Sequence, residues 1–230
     1  MSDGTKRRRW RMWLVVGLGA LVVAVVGGPY LYIHFIQGDA PPPLALSSPS
    51  GGPSAAGGLD GTWAVSDGSV AGYRVKEVLF GQSNVAVGRT SGLSGSITVT
   101  GTTISAAEFT ADMKAVTSDE TRRDEQFNGR IMDTARYPTA TFTLTEPIDL
   151  DPVPAQGTDV PAGATGELTL HGVTRSVTFD VTARLAGSAA RVVGQIPITF
   201  ADWNIPNPSF GPVTTEDNGI LEFSLDLTRG

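Results

Sequence analysis

Residues 166–185 read GELTLHGVTRSVTFDVTARL. Leu168 and Leu170 alternate with Glu167 and Thr169 ahead of a break at His171 and Gly172. Beyond it Val177, Phe179, Val181 and Leu185 share one phase, and Thr178, Asp180, Thr182 and Arg184 the other. A period of two marks a strand with one apolar and one wet face, and the glycine supplies the turn. The stretch therefore predicts an antiparallel hairpin whose apolar face needs a partner. Most of the chain after residue 60 repeats the device. The expected fold is mainly β, an extended antiparallel eight-stranded barrel that leaves no free edges around an apolar interior.

Working outward, Ala140, Phe142 and Leu144 make the preceding strand, after a Tyr137–Pro138 step that favours extended chain. The nineteen residues between them and the hairpin, 146–164, read as a surface loop, long for a compact domain. Upstream, Phe109, Ala111 and Met113 share a face opposite Thr110, Asp112 and Lys114. Alternation then stops at 117–120, TSDE, which fits a capping box with Thr117 capping and Glu120 reaching back. Phe127 and Ile131 form an i,i+4 apolar pair. One short helix with an irregular extension is expected across an end of the barrel. Trp63 and Val65, residues 70–75 and residues 78–80 begin the strand region. Val85/Val87 and Ile97/Val99 bracket a Gly/Ser-rich bend over 88–96. After the hairpin come residues 191–200, then 220–228, where Leu221, Phe223, Leu225 and Leu227 face in behind the turn signal Asp217, Asn218, Gly219.

The N-terminal quarter has a different character. Residues 1–11 are expected to be a basic cytoplasmic tail, and residues 12–36 are a 25-residue apolar run whose near end is marked by Trp10 and Trp13 and whose far end is marked by Tyr30, Tyr32 and His34. About 20 apolar residues cross a bilayer core, so the run is expected to be a transmembrane signal anchor that leaves the rest of the chain extracytoplasmic. A cleaved signal peptide is the other reading, although its apolar region is usually about 7–15 residues. Residues 37–60, rich in Pro, Gly, Ser and Ala, are expected to be a disordered tether, and residues 61–230 the barrel.

Charge and composition exclude several functions. Residues 1–59 hold five basic and two acidic residues, and residues 60–230 twelve basic and twenty-one acidic, a net of −9. So acidic a domain does not suit nucleic acid, which needs Lys/Arg clusters. With no cysteine, disulfides, thiolate nucleophiles and zinc–thiolate sites are excluded. A triad or His-rich metal site would rest on His171 alone, which reads more simply as a turn residue. Asp149, Asp151 and Asp159 are interrupted by prolines and lack EF-hand spacing. No cofactor or metal is expected.

Residues 166–175, GELTLHGVTR, together with Trp63, the Gly88–Arg89–Thr90 and Ser94–Gly95 segment, Arg123–Asp124, Asp133, Tyr137 to Phe142 and Asp202 to Ile205, resemble the YceI-like family over residues 62–228. The resemblance implies a lipocalin-like barrel that holds a polyisoprenoid chain, such as a quinone tail. Two family features differ here. The histidine–serine pair of the first hairpin is replaced near Asp67, Gly68 and Ser69, and the arginine ahead of the Asp-Phe-Gly motif corresponds to Phe200, with Trp203 and Asn204 for Phe-Gly. Both changes concern recognition of a lipid head group.

The inward-facing residues Tyr73, Val75, Phe80, Phe109, Met113, Phe142, Leu144, Phe179, Val181, Phe200, Trp203 and Phe223 are the candidate lipid-binding set. Nothing among them would orient a polar substrate, so no enzymatic activity is expected. Three readings stand: a membrane-anchored carrier or reservoir for an isoprenoid-type lipid, a structural or interaction barrel whose inward face packs its own core, and a hydrolase acting through His171. Arg123 and Asp124 are either a surface ion pair or a pin that holds the helix over the mouth.

Overall fold

The computed structural model describes residues 13, 16–21, 23, 27–28, 40–46, 58–79, 81–150, 155–211 and 213–230. The expected tail over 1–11, most of the expected anchor over 12–36, and residues 37–39 and 47–57 of the expected tether lie outside these. Among the described residues no helix is long and apolar enough to cross a membrane.

The strands are β1 (Gly61–Val65), β2 (Val70–Leu79), β3 (Gln82–Thr90), β4 (Leu93–Thr100), β5 (Thr103–Asp112), β6 (Thr117–Ser118), β7 (Thr139–Leu144), β8 (Ile148–Asp149), β9 (Asp159–Leu170), β10 (Val173–Ala186), β11 (Ala189–Thr199), β12 (Val213–Thr215) and β13 (Asn218–Arg229). Helix α1 (Thr121–Gln126) runs into a π turn, Phe127–Ile131, and a 3-10 turn, Phe200–Trp203, follows β11. β1 and β2 are halves of one long strand, and β3 and β4 are halves of the next. Joined in this way, eight strands form a closed antiparallel meander in which each pairs with its successor. β13 closes the barrel on β1 and β2, with Trp63 opposite Arg229 and Tyr73 opposite Leu221. At one end β3 leaves β5 and pairs instead with β6, and the helical segment occupies the gap.

The opening hairpin forms as expected, with Leu170 paired to Val173. His171 (φ 49°) and Gly172 (φ 75°) are both left-handed, the geometry of a two-residue primed turn. His171 is held there by the Trp203 carbonyl, 3.2 Å from its Nδ1, and by the edge of Tyr137, 4.6 Å between ring centres. A Cβ on Gly172 would lie 2.4 Å from the Tyr137 ring. Gly172→Ala combines that clash with a positive φ and is expected to cost about 2 kcal/mol. Urea denaturation would read this as a lower midpoint at unchanged slope; an unchanged midpoint would remove the turn's structural role.

The expected capping box does not form. The free edge of β3 takes the backbone of Thr117 and Ser118 into β6, so the helix starts later, with Glu120 as N-cap accepting from the Arg122 amide. Asp124 reaches back to Ser118, accepting from its amide at 2.8 Å and its hydroxyl at 2.6 Å. Arg123 does not pair with Asp124. It bridges Asp119 and Glu77 of β2, and so pins the helix to the barrel.

Three other expectations change. The bend over 88–96 shrinks to residues 91–92, and the flanking glycines sit inside strands. Within the loop expected over 146–164, β8 adds to β5 and β9 begins at Asp159. Pro161 is tolerated because β9 pairs with β7 only over residues 166–169, and the proline occupies the stretch whose other edge is free. Finally, residues 40–46 of the expected tether lie on the barrel's outer wall. Arg74 donates to the Pro41 carbonyl (2.7 Å) and Arg89 to that of Pro42 (2.6 Å). The Leu44 amide donates to Glu222 (3.1 Å). Glu222 has no exposed side-chain surface and pairs with Arg89 at 2.9 Å and Arg74 at 3.8 Å. Pro41 and Pro42 have no N–H to give a strand ladder, but their carbonyls still accept from the two arginines.

Candidate functional site

The barrel interior is hollow, with a cavity of about 780 Å³, within the range of ligand pockets. Ten of the twelve candidate residues line it: Tyr73, Val75, Phe109, Met113, Phe142, Leu144, Phe179, Val181, Phe200 and Phe223. Phe80 lies outside the described residues. Trp203 does not line the cavity; it is buried in the 3-10 turn, where its carbonyl holds His171. His171 is likewise absent from the lining.

Glycines on the inward phase keep the interior open. Rings that project from neighbouring strands lie flat in the space where the glycine side chains would be. A Cβ on Gly88 would meet the Tyr73 ring at 2.4 Å, on Gly95 the Phe109 ring at 2.9 Å, on Gly166 the Phe142 ring at 2.5 Å and on Gly194 the Phe223 ring at 2.4 Å. Small residues Ala140, Ala162 and Ala164 extend the free volume. Edge contacts of Phe179 with Phe142 (5.4 Å) and Phe223 (6.0 Å) fix the middle of the wall. The inward-facing Phe142, Leu144, Leu221 and Phe223 stay only partly buried, as side chains facing a void do.

The two ends differ. At one, Leu59, Trp63, Val99, Ala190, Leu225 and Leu227 form their own apolar cluster, and the Trp63 indole donates to the Leu59 carbonyl at 2.9 Å, which plugs the barrel. At the other, the cavity reaches the surface beside the lip formed by Leu79, Pro208, Val213 and the exposed Phe210, and Arg130 of the helical segment ties that segment to the lip by donating to the Asn207 and Pro208 carbonyls. The lining is mainly apolar, and its polar groups include a cluster beneath the helix where Tyr73, Glu77 and Arg123 meet, with Glu120, Arg122 and Gln126 of the helical segment nearby. Burial pushes the Tyr73 phenol well above its usual range, and nearby Asp124, Glu77 and Asp119 add to this against the opposing Arg123. Burial works against the Arg123 charge, but Glu77 and Asp119 raise its pKa overall. At neutral pH Tyr73 is therefore a neutral hydroxyl, stacked on Phe127 at 5.2 Å. Sequence reasoning omitted Phe127, Leu168, Leu170, Ile196 and Ile198 from the lining. The inward phase of Leu168 and Leu170 was already visible in the opening hairpin.

The model of the YceI-like domain matches residues 63–227. The chain belongs to the YceI-like family. Among curated relatives, a UPF0312 protein of Vibrio campbellii is 31% identical over 102 residues, 41% of this chain and 50% of that protein. One from Vibrio vulnificus (strain YJ016) is 31% identical over 104 residues with the same coverage. The chain thus spans about half the length of the curated relatives it matches. The YceI-like barrel is also similar to solved structures. One is described as a polyisoprenoid binding domain from Saccharophagus degradans implicated in plant cell wall breakdown, with a TM-score of 0.59 and 18% identity over 74% of this chain and 98% of that one. Burkholderia cenocepacia BcnA gives a TM-score of 0.51 and 22% identity over 67% and 95%. At these identities the likeness concerns the fold, and in this YceI-like chain the fold encloses an apolar cavity.

Proposed function

We propose that this protein binds an isoprenoid-type lipid, such as a quinone tail, in its barrel and acts as a carrier or reservoir beside a membrane that holds it through residues 12–36, with the barrel extracytoplasmic. The hollow apolar interior carries this reading, because a barrel built only to stand would fill its bore with side chains. The solved polyisoprenoid binding domain with the same fold supports the choice of ligand. Burial of apolar chain gains about 0.8 kcal/mol per methylene against water. Against a bilayer, where the chain already lies in hydrocarbon, that gain nearly vanishes. Exchange between membrane and barrel is then close to balanced, which suits delivery and return. The hydrolase reading has less support, since His171 is absent from the cavity lining where a lipid would lie.

The test is organic extraction and native mass spectrometry of residues 37–230, purified without detergent from an isoprenoid-producing host. A stoichiometric apolar compound of isoprenoid type is the expected result. An empty protein that also fails to take up quinones from vesicles would overturn the proposal in favour of an interaction barrel.

A further inference from the structure

We infer that the open mouth of the barrel, rimmed by Val78, Leu79, Pro208 and Phe210, is a surface that seats on a lipid bilayer. The inference rests on the reading of residues 12–36 as an anchor. Val78 (42% exposed) and Phe210 (65%) are the exposed large apolar side chains among the described residues of the barrel. They stand at the same end of the sheet but on its two faces: Phe210 bridges to Val213, which β12 sets against Leu79 on the cavity face, while Thr214 stands against Val78 on the outer face. Leu79, Pro208, Phe210 and Val213 also line the cavity, so the apolar rim and the opening are one feature. An exposed apolar rim at a cavity opening marks a candidate contact surface.

The chain's own course says which partner. Ala40 and Pro41 sit in a crevice with Asn84, Val85, Thr117, Ser118 and Asp119. Asn84 is two residues from Gln82, which pairs with Leu79 of the rim. The docked strap therefore starts at the mouth end. From there it passes Arg74, Arg89 and Glu222 toward Gly58, whose carbonyl accepts from Arg229 beside the plugged end. Only residues 37–39 separate the apolar run ending at Ile36 from Ala40, a reach of about 14 Å when fully extended. An anchor that ends so near Ala40 brings the mouth, and not the plug, to the membrane. Phe210 would then sit at the depth of interfacial aromatic residues, and the ligand would pass between bilayer and cavity without crossing water. The barrel's net negative charge leaves this contact to apolar insertion rather than to attraction by anionic lipids.

The chain has no cysteine, so a single introduced thiol carries a unique fluorophore. The full-length protein is reconstituted in phosphatidylcholine vesicles that contain acyl-brominated lipid. Labels are placed through Phe210→Cys, Val78→Cys, and Ser188→Cys in the turn at the plugged end. Strong bromine quenching at 210 and 78, with emission at 188 unchanged, is the expected result. Equal quenching at all three positions, or none at 210 and 78, overturns the seating of the mouth. Release of the protein from the vesicles by alkaline carbonate overturns the anchor and the seating with it. None of these outcomes depends on whether a lipid is extracted from the cavity, so this inference and the ligand proposal can fail separately.

Discussion

Ala162→Trp is expected to abolish retention of an isoprenoid lipid while leaving the barrel folded. Ala162 lies on β9 opposite Val181, faces the cavity and is only partly buried. An indole at that position enters existing space instead of displacing packed neighbours. If it denies the ligand four methylenes of depth, the loss is about 3 kcal/mol, or on the order of a hundredfold in affinity. Quinone uptake from vesicles, followed beside far-ultraviolet circular dichroism, measures both halves of the statement. The same change at Thr182, on the outer phase of β10, should leave uptake intact. If the Ala162 variant binds normally, the ligand does not occupy the cavity.

Glu222→Ala should be the most destabilising single change on the outer wall, at about 3 kcal/mol. Its carboxylate has no exposed surface and satisfies Arg89, Arg74 and the Leu44 amide together. Removal leaves two largely covered guanidinium groups without their counter-charge, a loss of about 3–5 kcal/mol in comparable buried pairs. The partial exposure of both arginines places this site at the low end. For a domain of this size the midpoint of thermal unfolding would fall by about 6–12 °C. Hydrogen exchange provides a second measurement, since the Leu44 amide should lose its protection as residues 40–46 come away. A protected Leu44 amide in the variant would mean that something other than Glu222 holds the strap. Glu222→Gln keeps an acceptor and should lose less.

The barrel was legible because outward and inward residues alternate along most of its strands, most clearly in the hairpin around His171. The same alternation picked out most of the cavity wall, since the phase that makes a core also makes a lining. It did not distinguish a filled barrel from a hollow one. That difference lies in Gly88, Gly95, Gly166 and Gly194, which carry no side chain and so contribute nothing to an apolar pattern. Read locally, the glycines around residue 90 suggested a bend; their role depends on aromatic rings from adjacent strands. Trp203 was misplaced for a related reason. A 3-10 turn after β11 ends the period of two, so phase counting does not reach it. The strap over 40–46 was hidden by its composition, because proline-rich chain is extended whether or not it is bound. Its partners stand on strands that are remote in sequence.

The closure of the barrel has a consequence in time. Along the meander each strand meets one made shortly before it, and only β13 must return to strands at the other end of the domain, where Trp63 meets Arg229. Glu222, which gathers Arg74, Arg89 and the strap, belongs to the same last strand. Contacts of such long sequence separation form slowly. Without β13 the remaining strands would have two unpaired edges and could not enclose the cavity. The cavity is therefore complete only once β13 has paired, and without that strand the same inward residues would line an apolar trough.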